Sequence, residues 1–159
     1  MGPVLAWTFG TTMKNKALAV IGIRNECISL ASCVIIGAIV GFFWALATGN
    51  RHDWPTQEMI SRGESWYVLI DGAFIAAASG IGVGLSLVGE YTTVVVGVAI
   101  SASLLPPAVN TGMLIVFAPY TQWKPENYNG EYQPGELYEM AAISFILTIE
   151  NIIIIFATS

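Results

Sequence analysis

The residues Cys27–Gly49, CISLASCVIIGAIVGFFWALATG, run for 23 positions without a charged side chain. A helix crosses the hydrocarbon core of a bilayer in about 20 apolar residues, so this stretch is long enough to span with some tilt. Similar runs recur on both sides of it. Tyr67–Gly89 and Thr92–Ala118 are separated only by a short turn around Glu90, and Tyr138–Ser159 follows a polar interval. Gly2–Met13 is equally apolar but too short to span. It reads as the second half of a span whose first half lies upstream. The expected fold is therefore all-α: a polytopic helical membrane protein forming a single transmembrane domain over 1–159. About five spans are expected, at 2–13 (partial), 27–49, 67–89, 92–118 and 138–159.

Composition points the same way. Of 159 residues, 55% are hydrophobic and 11% are charged, against roughly 25% charged in a soluble domain. The net charge of -5 and the absence of a Lys/Arg tract argue against nucleic acid as a partner. Cys27 and Cys33 lie six apart in one apolar run, which puts them on nearly opposite faces of a helix. That spacing disfavours a disulfide or a metal pair. His52 is the one histidine, set beside Arg51 in a polar stretch. With no His-Glu-x-x-His, Gly-x-Ser-x-Gly or P-loop pattern, we expect neither an enzyme nor a cofactor. The partner that the composition implies is the lipid bilayer. Which membrane is not legible, because Met1-Gly2-Pro3-Val4 carries no signal-peptide n-region and no glycosylation sequon occurs.

The intervals between spans divide by polarity. Asn50–Trp66 holds Arg51, His52, Asp53, Glu58, Arg62 and Glu64, which suits water or headgroups, and Trp54 and Trp66 suit an interfacial belt. Pro119–Leu137 is rich in turn residues and reads as a loop. Lys and Arg count three on each side. The crowding of Lys14, Lys16 and Arg24 favours a cytoplasmic Lys14–Glu26, with both longer loops opposite.

Small residues form stripes. Gly72, Ala76, Gly80 and Gly84 recur every four positions in the third span, and Gly37 and Gly41 repeat the spacing in the second. Such a groove lets another backbone approach closely. It serves either tight packing, within the chain or in a homo-oligomer, or a sliding surface in a transporter.

Pro106 and Pro107 interrupt the fourth span. Neither has a backbone N–H, so the carbonyls of Ala102 and Ser103 lose their i+4 partners. Leu105 and Pro106, each preceding a proline, are pushed away from α geometry. These rules predict a break near mid-membrane that must face protein or a hydrated cavity, flanked by Ser101, Ser103, Asn110 and Thr111. Two readings follow: a kink satisfied by neighbouring helices, or a discontinuous helix whose freed carbonyls hold a solute or ion. Glu150, midway along Tyr138–Ser159 and followed by Asn151, reads either as a proton or cation site or as a hydrogen-bonded structural carboxyl. Asp71 lies near a span start and suits an interfacial or capping role. Glu90 suits a helix N-terminus.

The run Val96-Gly97-Val98-Ala99-Ile100-Ser101-Ala102-Ser103-Leu104-Leu105-Pro106-Pro107-Ala108-Val109-Asn110-Thr111-Gly112 resembles the signature of the family called domain of unknown function 389. Met1-Gly2-Pro3-Val4 resembles that family's second marker, and Thr56–Arg62, Asp71–Gly84 and Leu147-Thr148 with Asn151 extend the likeness. The resemblance implies a hydrophobic multi-pass membrane protein without an assigned reaction or substrate, and sequence upstream of the Met-Gly-Pro motif. It also makes Pro3 and Pro107 corresponding positions, which suggests an inverted repeat of three helices each. The long loop after the fourth span and Glu150 beside Asn151 depart from its pattern. The leading functional expectation is a small-solute or ion transporter or channel, with a site formed by Ser103, Pro106, Pro107, Asn110, Glu150 and Asn151. The alternative is a non-transporting membrane scaffold or interaction protein.

Overall fold

The computed structural model describes residues 2–47, 55–88, 93–123 and 132–158. Among these there is no strand, and the order is α1 (Gly2–Thr12), α2 (Lys16–Ala47), α3 (Gln57–Ser61), α4 (Tyr67–Val88), α5 (Thr93–Trp123) and α6 (Pro134–Thr158). Among the described residues, three helical stretches are long and apolar enough to cross a membrane: Lys16–Ala47, Tyr67–Leu85 and Pro134–Thr158. Their outward faces carry Ile35, Ile36, Ile39, Phe42, Phe43, Phe74, Ile75, Ile81, Phe145 and Ile153, all exposed. Contiguous apolar surface of this extent is rare on a soluble monomer. The architecture is that of a helical membrane protein, compatible with an integral, multi-pass placement.

The ends of the helices follow local chemistry. Between α1 and α2, Lys14 takes a left-handed φ of 54° and the Asn15 N–H reaches the Gly10 carbonyl at 2.8 Å, closing α1 in a Schellman-type turn. The Asn15 side chain then accepts from the Leu18 N–H, capping α2 at Lys16. Helix α2 thus begins eleven residues before the expected span at Cys27, and the connection shrinks to a tight turn. At α6, Pro134 occupies the first helical position and the Glu136 carboxylate accepts the Gln133 N–H at 2.7 Å. The expected loop 119–137 is correspondingly narrower, because α5 continues through Pro119 to Trp123. Residues 124–131 lie outside the described residues, as do His52, Trp54, Glu90 and the side chain of Pro3.

Helix directions alternate. Gly10 of α1 abuts Ala19 of α2, so those two are antiparallel; Gly37 and Gly41 abut Val109 and Met113, so α2 and α5 are parallel. Gly72 abuts Leu147, and Gly80 abuts Ile155 and Thr158, so α4 and α6 are parallel. The pairs Ser103–Asn151 and Asn110–Ser144 make α5 and α6 antiparallel. Hence α1, α4 and α6 run one way and α2 and α5 the other. Helices α1 and α5 run oppositely, as do α2 and α6, which is the polarity an inverted repeat requires. Trp7 of α1 stacks on Phe156 of α6 with ring centroids 3.8 Å apart, joining the first helix to the last.

Small residues set the spacing. A Cβ at Gly37 would overlap the Val109 carbonyl oxygen, one at Gly112 the Val34 carbonyl oxygen, and one at Gly41 would stand 2.9 Å from Met113 Cα. The stripe Gly72, Ala76, Gly80 lies against α6, with Ala76 fully buried and a Gly80 Cβ only 2.7 Å from the Ile155 carbonyl oxygen. Gly84, at the end of that stripe, is half-buried.

Where the prolines predict a break, the chain stays helical. Helix α5 is one helix of 31 residues with Pro106, Pro107 and Pro119 inside it. The physical reason stands opposite, on α6. Asn151 Nδ2 donates to the Ser103 carbonyl at 2.9 Å, taking the place of the N–H that Pro107 lacks. On the next turn the Thr111 hydroxyl donates to the Pro107 carbonyl at 2.9 Å.

Candidate functional site

Residues 55–65 form a wedge rather than a wholly solvated loop. Pro55, Met59 and Gly63, spaced by four, are buried, while Thr56, Gln57, Glu58, Ser61 and Glu64 are exposed. The buried edge sits against α5 and α6: Met59 packs in a core with Leu114, Phe117, Leu137 and Met140, and a Cβ on Gly63 would stand 2.8 Å from the Met140 carbonyl oxygen. Two buried side chains hold the wedge. Asn110 Nδ2 donates to the Met59 carbonyl at 3.1 Å and to Ser144 Oγ at 2.9 Å, and the Ser144 hydroxyl donates to the Arg62 carbonyl at 3.0 Å. Ser144 lies roughly 9 Å along α6 from Tyr138 at 1.5 Å per residue. The wedge therefore enters the bundle below the level at which the sequence places the headgroups.

Beyond the wedge, deeper along α6, a cleft of about 260 Å³ opens between α3, α4, α5 and α6. Its wall carries Glu58, Ser61 and Arg62 from the wedge, Asp71 and Gly72 from α4, Ser103 from α5 and Asn151 from α6. Glu58 and Arg62 pair at 3.3 Å across one helical turn. The wedge thus brings charged groups into line with the Ser103–Asn151 contact that closes the proline gap. Asn151 is 3% exposed, and its Oδ1 is buried without a hydrogen-bond partner. Gly72 lets α6 pack close at this point, since an added Cβ would overlap Leu147 Cδ1 and stand 3.4 Å from that oxygen.

The six expected site residues separate into three places. Ser103 and Asn151 line the cleft, and the half-buried Pro106 and buried Pro107 lie one turn beyond Ser103 on α5. Asn110 does not line the cleft; it anchors the wedge, and its Oδ1 is likewise buried without a partner. Glu150 faces a different space, a shallow apolar groove of about 480 Å³ formed with Leu69, Ile146, Ile149, Ile153 and Ile154. The cause is helical geometry: Glu150 and its neighbour Asn151 differ by 100° around the α6 axis, so only one of them can face α5. Glu58, Ser61 and Arg62 escaped the sequence reading, although Pro55, Met59 and Gly63 at i, i+4 and i+8 mark a buried helix edge. Asp71, expected at an interface or cap, is an exposed residue of the cleft wall. No group of three or more His, Cys, Asp or Glu placed to hold a metal occurs among the described residues.

Comparison with known proteins supplies kinship without chemistry. The family model described as Domain of unknown function (DUF389) matches residues 1–157. The uncharacterized protein MJ0678 of Methanocaldococcus jannaschii is 28% identical over 115 residues, covering 72% of this chain and 33% of that protein. The chain thus spans about a third of that relative's length. No solved structure matches.

Proposed function

We propose that this chain, which belongs to the family described as Domain of unknown function (DUF389), is the solute-binding part of a transporter or channel-like membrane protein. The cleft between α3, α4, α5 and α6 is its site. The observation that carries this reading is the cleft itself: charged side chains at its wall, and the proline-freed Ser103 carbonyl with Asn151 at its depth. Transporters build sites where helix backbone loses its own partners, because irregular or under-satisfied backbone is tolerated in a membrane only against protein or water. A wedge that dips into the bundle from one side supplies a hydrated approach to that point.

A second reading has its own support. The proline gap is closed by Asn151 and α5 does not break, as a static scaffold would require. Reconstitution of the full-length protein in liposomes separates the two. A transporter gives flux of at least one ion or small metabolite above protein-free vesicles. That flux falls on filling the cleft with Ser61→Trp and persists in Glu150→Gln. A scaffold gives no flux across the panel.

A further inference from the structure

We propose that the groove beside Glu150 binds a membrane-dissolved organic cation, its ammonium head on the carboxylate and its alkyl body along the isoleucines. This site is separate from the cleft and does not rest on the reading of the cleft. Glu150 lies roughly 18 Å along α6 from Tyr138 at 1.5 Å per residue, past the middle of a hydrocarbon core of about 30 Å. The groove of about 480 Å³ at that depth is walled by Leu69 of α4 and by Ile146, Ile149, Ile153 and Ile154 of α6. Glu150 is thus its one polar side chain among the described residues. Ile146, Ile149 and Ile153 are exposed, so the groove opens on the lipid-facing surface of the bundle. The Glu150 side chain is half-buried. Its Oε2 is enclosed without a hydrogen-bond partner, and it has no ion pair among the described residues.

The surrounding helices hold no counter-ion. Helices α1, α4, α5 and α6 contain no Lys, Arg or His. Helix α2, which holds Lys16 and Arg24, packs on α1 and α5, and Arg62 is paired with Glu58 at the wall of the cleft. Neither does a second acid share the groove. Asp71 stands two positions after Leu69, about 200° around α4, and lines the cleft instead. Glu139 is roughly 17 Å from Glu150 along α6. Ionisable groups inside a membrane are costly and almost always meet a charged partner, a backbone carbonyl or water. Here the space beside the carboxyl is aliphatic and open to lipid. Charge complementarity selects a cation, and the isoleucine walls select one with a hydrocarbon body. A bare metal ion needs several oxygen ligands and would find a single carboxylate.

The test is binding, measured apart from flux. Full-length protein in phosphatidylcholine nanodiscs is titrated calorimetrically with octyltrimethylammonium, and protein-free nanodiscs give the background of simple partition. We expect saturable binding above that background, one cation per chain. The isosteric Glu150→Gln should weaken it about tenfold or more, the equivalent of ~1.4 kcal/mol. Ile153→Trp keeps the carboxylate but fills the groove from an exposed position, and should weaken binding several-fold. Octanol, with the same chain and no charge, should not compete. An unchanged Tm in both variants separates loss of the site from loss of the fold. Absence of binding above background, equal affinity in Glu150→Gln or in Ile153→Trp, or competition by octanol would each overturn the proposal. Ser61→Trp, which fills the cleft, should leave this binding intact. Flux that Ser61→Trp abolishes, without cation binding at Glu150, would refute this site alone, and cation binding without flux would refute transport alone.

Discussion

Asn151→Ala removes the donor that replaces a missing backbone N–H, and its cost should depend on whether Pro107 is present. In the native chain the Ser103 carbonyl receives Asn151 Nδ2 at 2.9 Å in a fully enclosed setting. Leaving a buried acceptor unpaired costs roughly 1–3 kcal/mol in soluble proteins. Interhelical hydrogen bonds in membranes average nearer ~0.6 kcal/mol with a maximum of ~1.7, because alternative partners are often at hand. Here the alternative is missing, since Pro107 has no N–H to offer, so the upper part of the range applies and we expect about 1–2 kcal/mol. Pro107→Ala restores that N–H four residues after Ser103. In the Pro107→Ala background the same Asn151→Ala change should lose most of its hydrogen-bond component, leaving only the packing loss. The coupling energy from the four proteins should be about 1 kcal/mol, read from unfolding in detergent by helix content. Equal costs of Asn151→Ala in both backgrounds would refute the claim that Asn151 stands in for the backbone donor.

Further outcomes follow from the close contacts and from the hydrogen bonds that hold the wedge. Gly37→Ala should destabilise by about 1–3 kcal/mol, the usual cost of overpacking, because its Cβ would meet the Val109 backbone oxygen rather than a side chain that can turn away. Gly135→Ala, with nothing within 4 Å, should be neutral or slightly stabilising in the same unfolding measurement. Asn110→Ala and Ser144→Ala each free the wedge from α5 or α6. Both should increase proteolysis or hydrogen exchange across residues 55–65, while helix content stays constant. Unchanged protection in either variant would mean that the apolar edge of Met59 and Gly63 holds the wedge alone.

How much of this was legible in the sequence depends on the range of the force involved. Apolar length is a local property, so Cys27–Gly49, Tyr67–Gly89 and Tyr138–Ser159 announce helices α2, α4 and α6, and the family is readable from the run around Pro106-Pro107. Helix ends were less legible. The onset of α2 at Lys16 depends on the Asn15 cap and the left-handed Lys14, and the onset of α6 on the pairing of Glu136 with Gln133. The behaviour at Pro106-Pro107 was not local at all. The rule that proline removes a donor holds, but the consequence was set by Asn151, 48 residues away on another helix. The site divided for the same reason. Ser103 and Asn151 meet at the proline gap, whereas Asn110 and Glu150 point elsewhere, because which face of α5 or α6 meets which neighbour is fixed by tertiary packing. The wedge is hidden for a related reason: its charges at Glu58, Arg62 and Glu64 outweigh its buried edge of Pro55, Met59 and Gly63 in any average over composition.

The central claim is that solute passes through the cleft bounded by Ser61, Asp71, Ser103 and Asn151. Its most direct test places a single cysteine at Ser61, exposed at the cleft wall, in a full-length background where every native cysteine, Cys27 and Cys33 among them, is replaced by serine. Flux through reconstituted full-length protein is then recorded before and after a small water-soluble thiol reagent is added. The account predicts that modification of Ser61→Cys blocks flux and that solute present during the reaction slows the block. Complete modification with flux undiminished would contradict it.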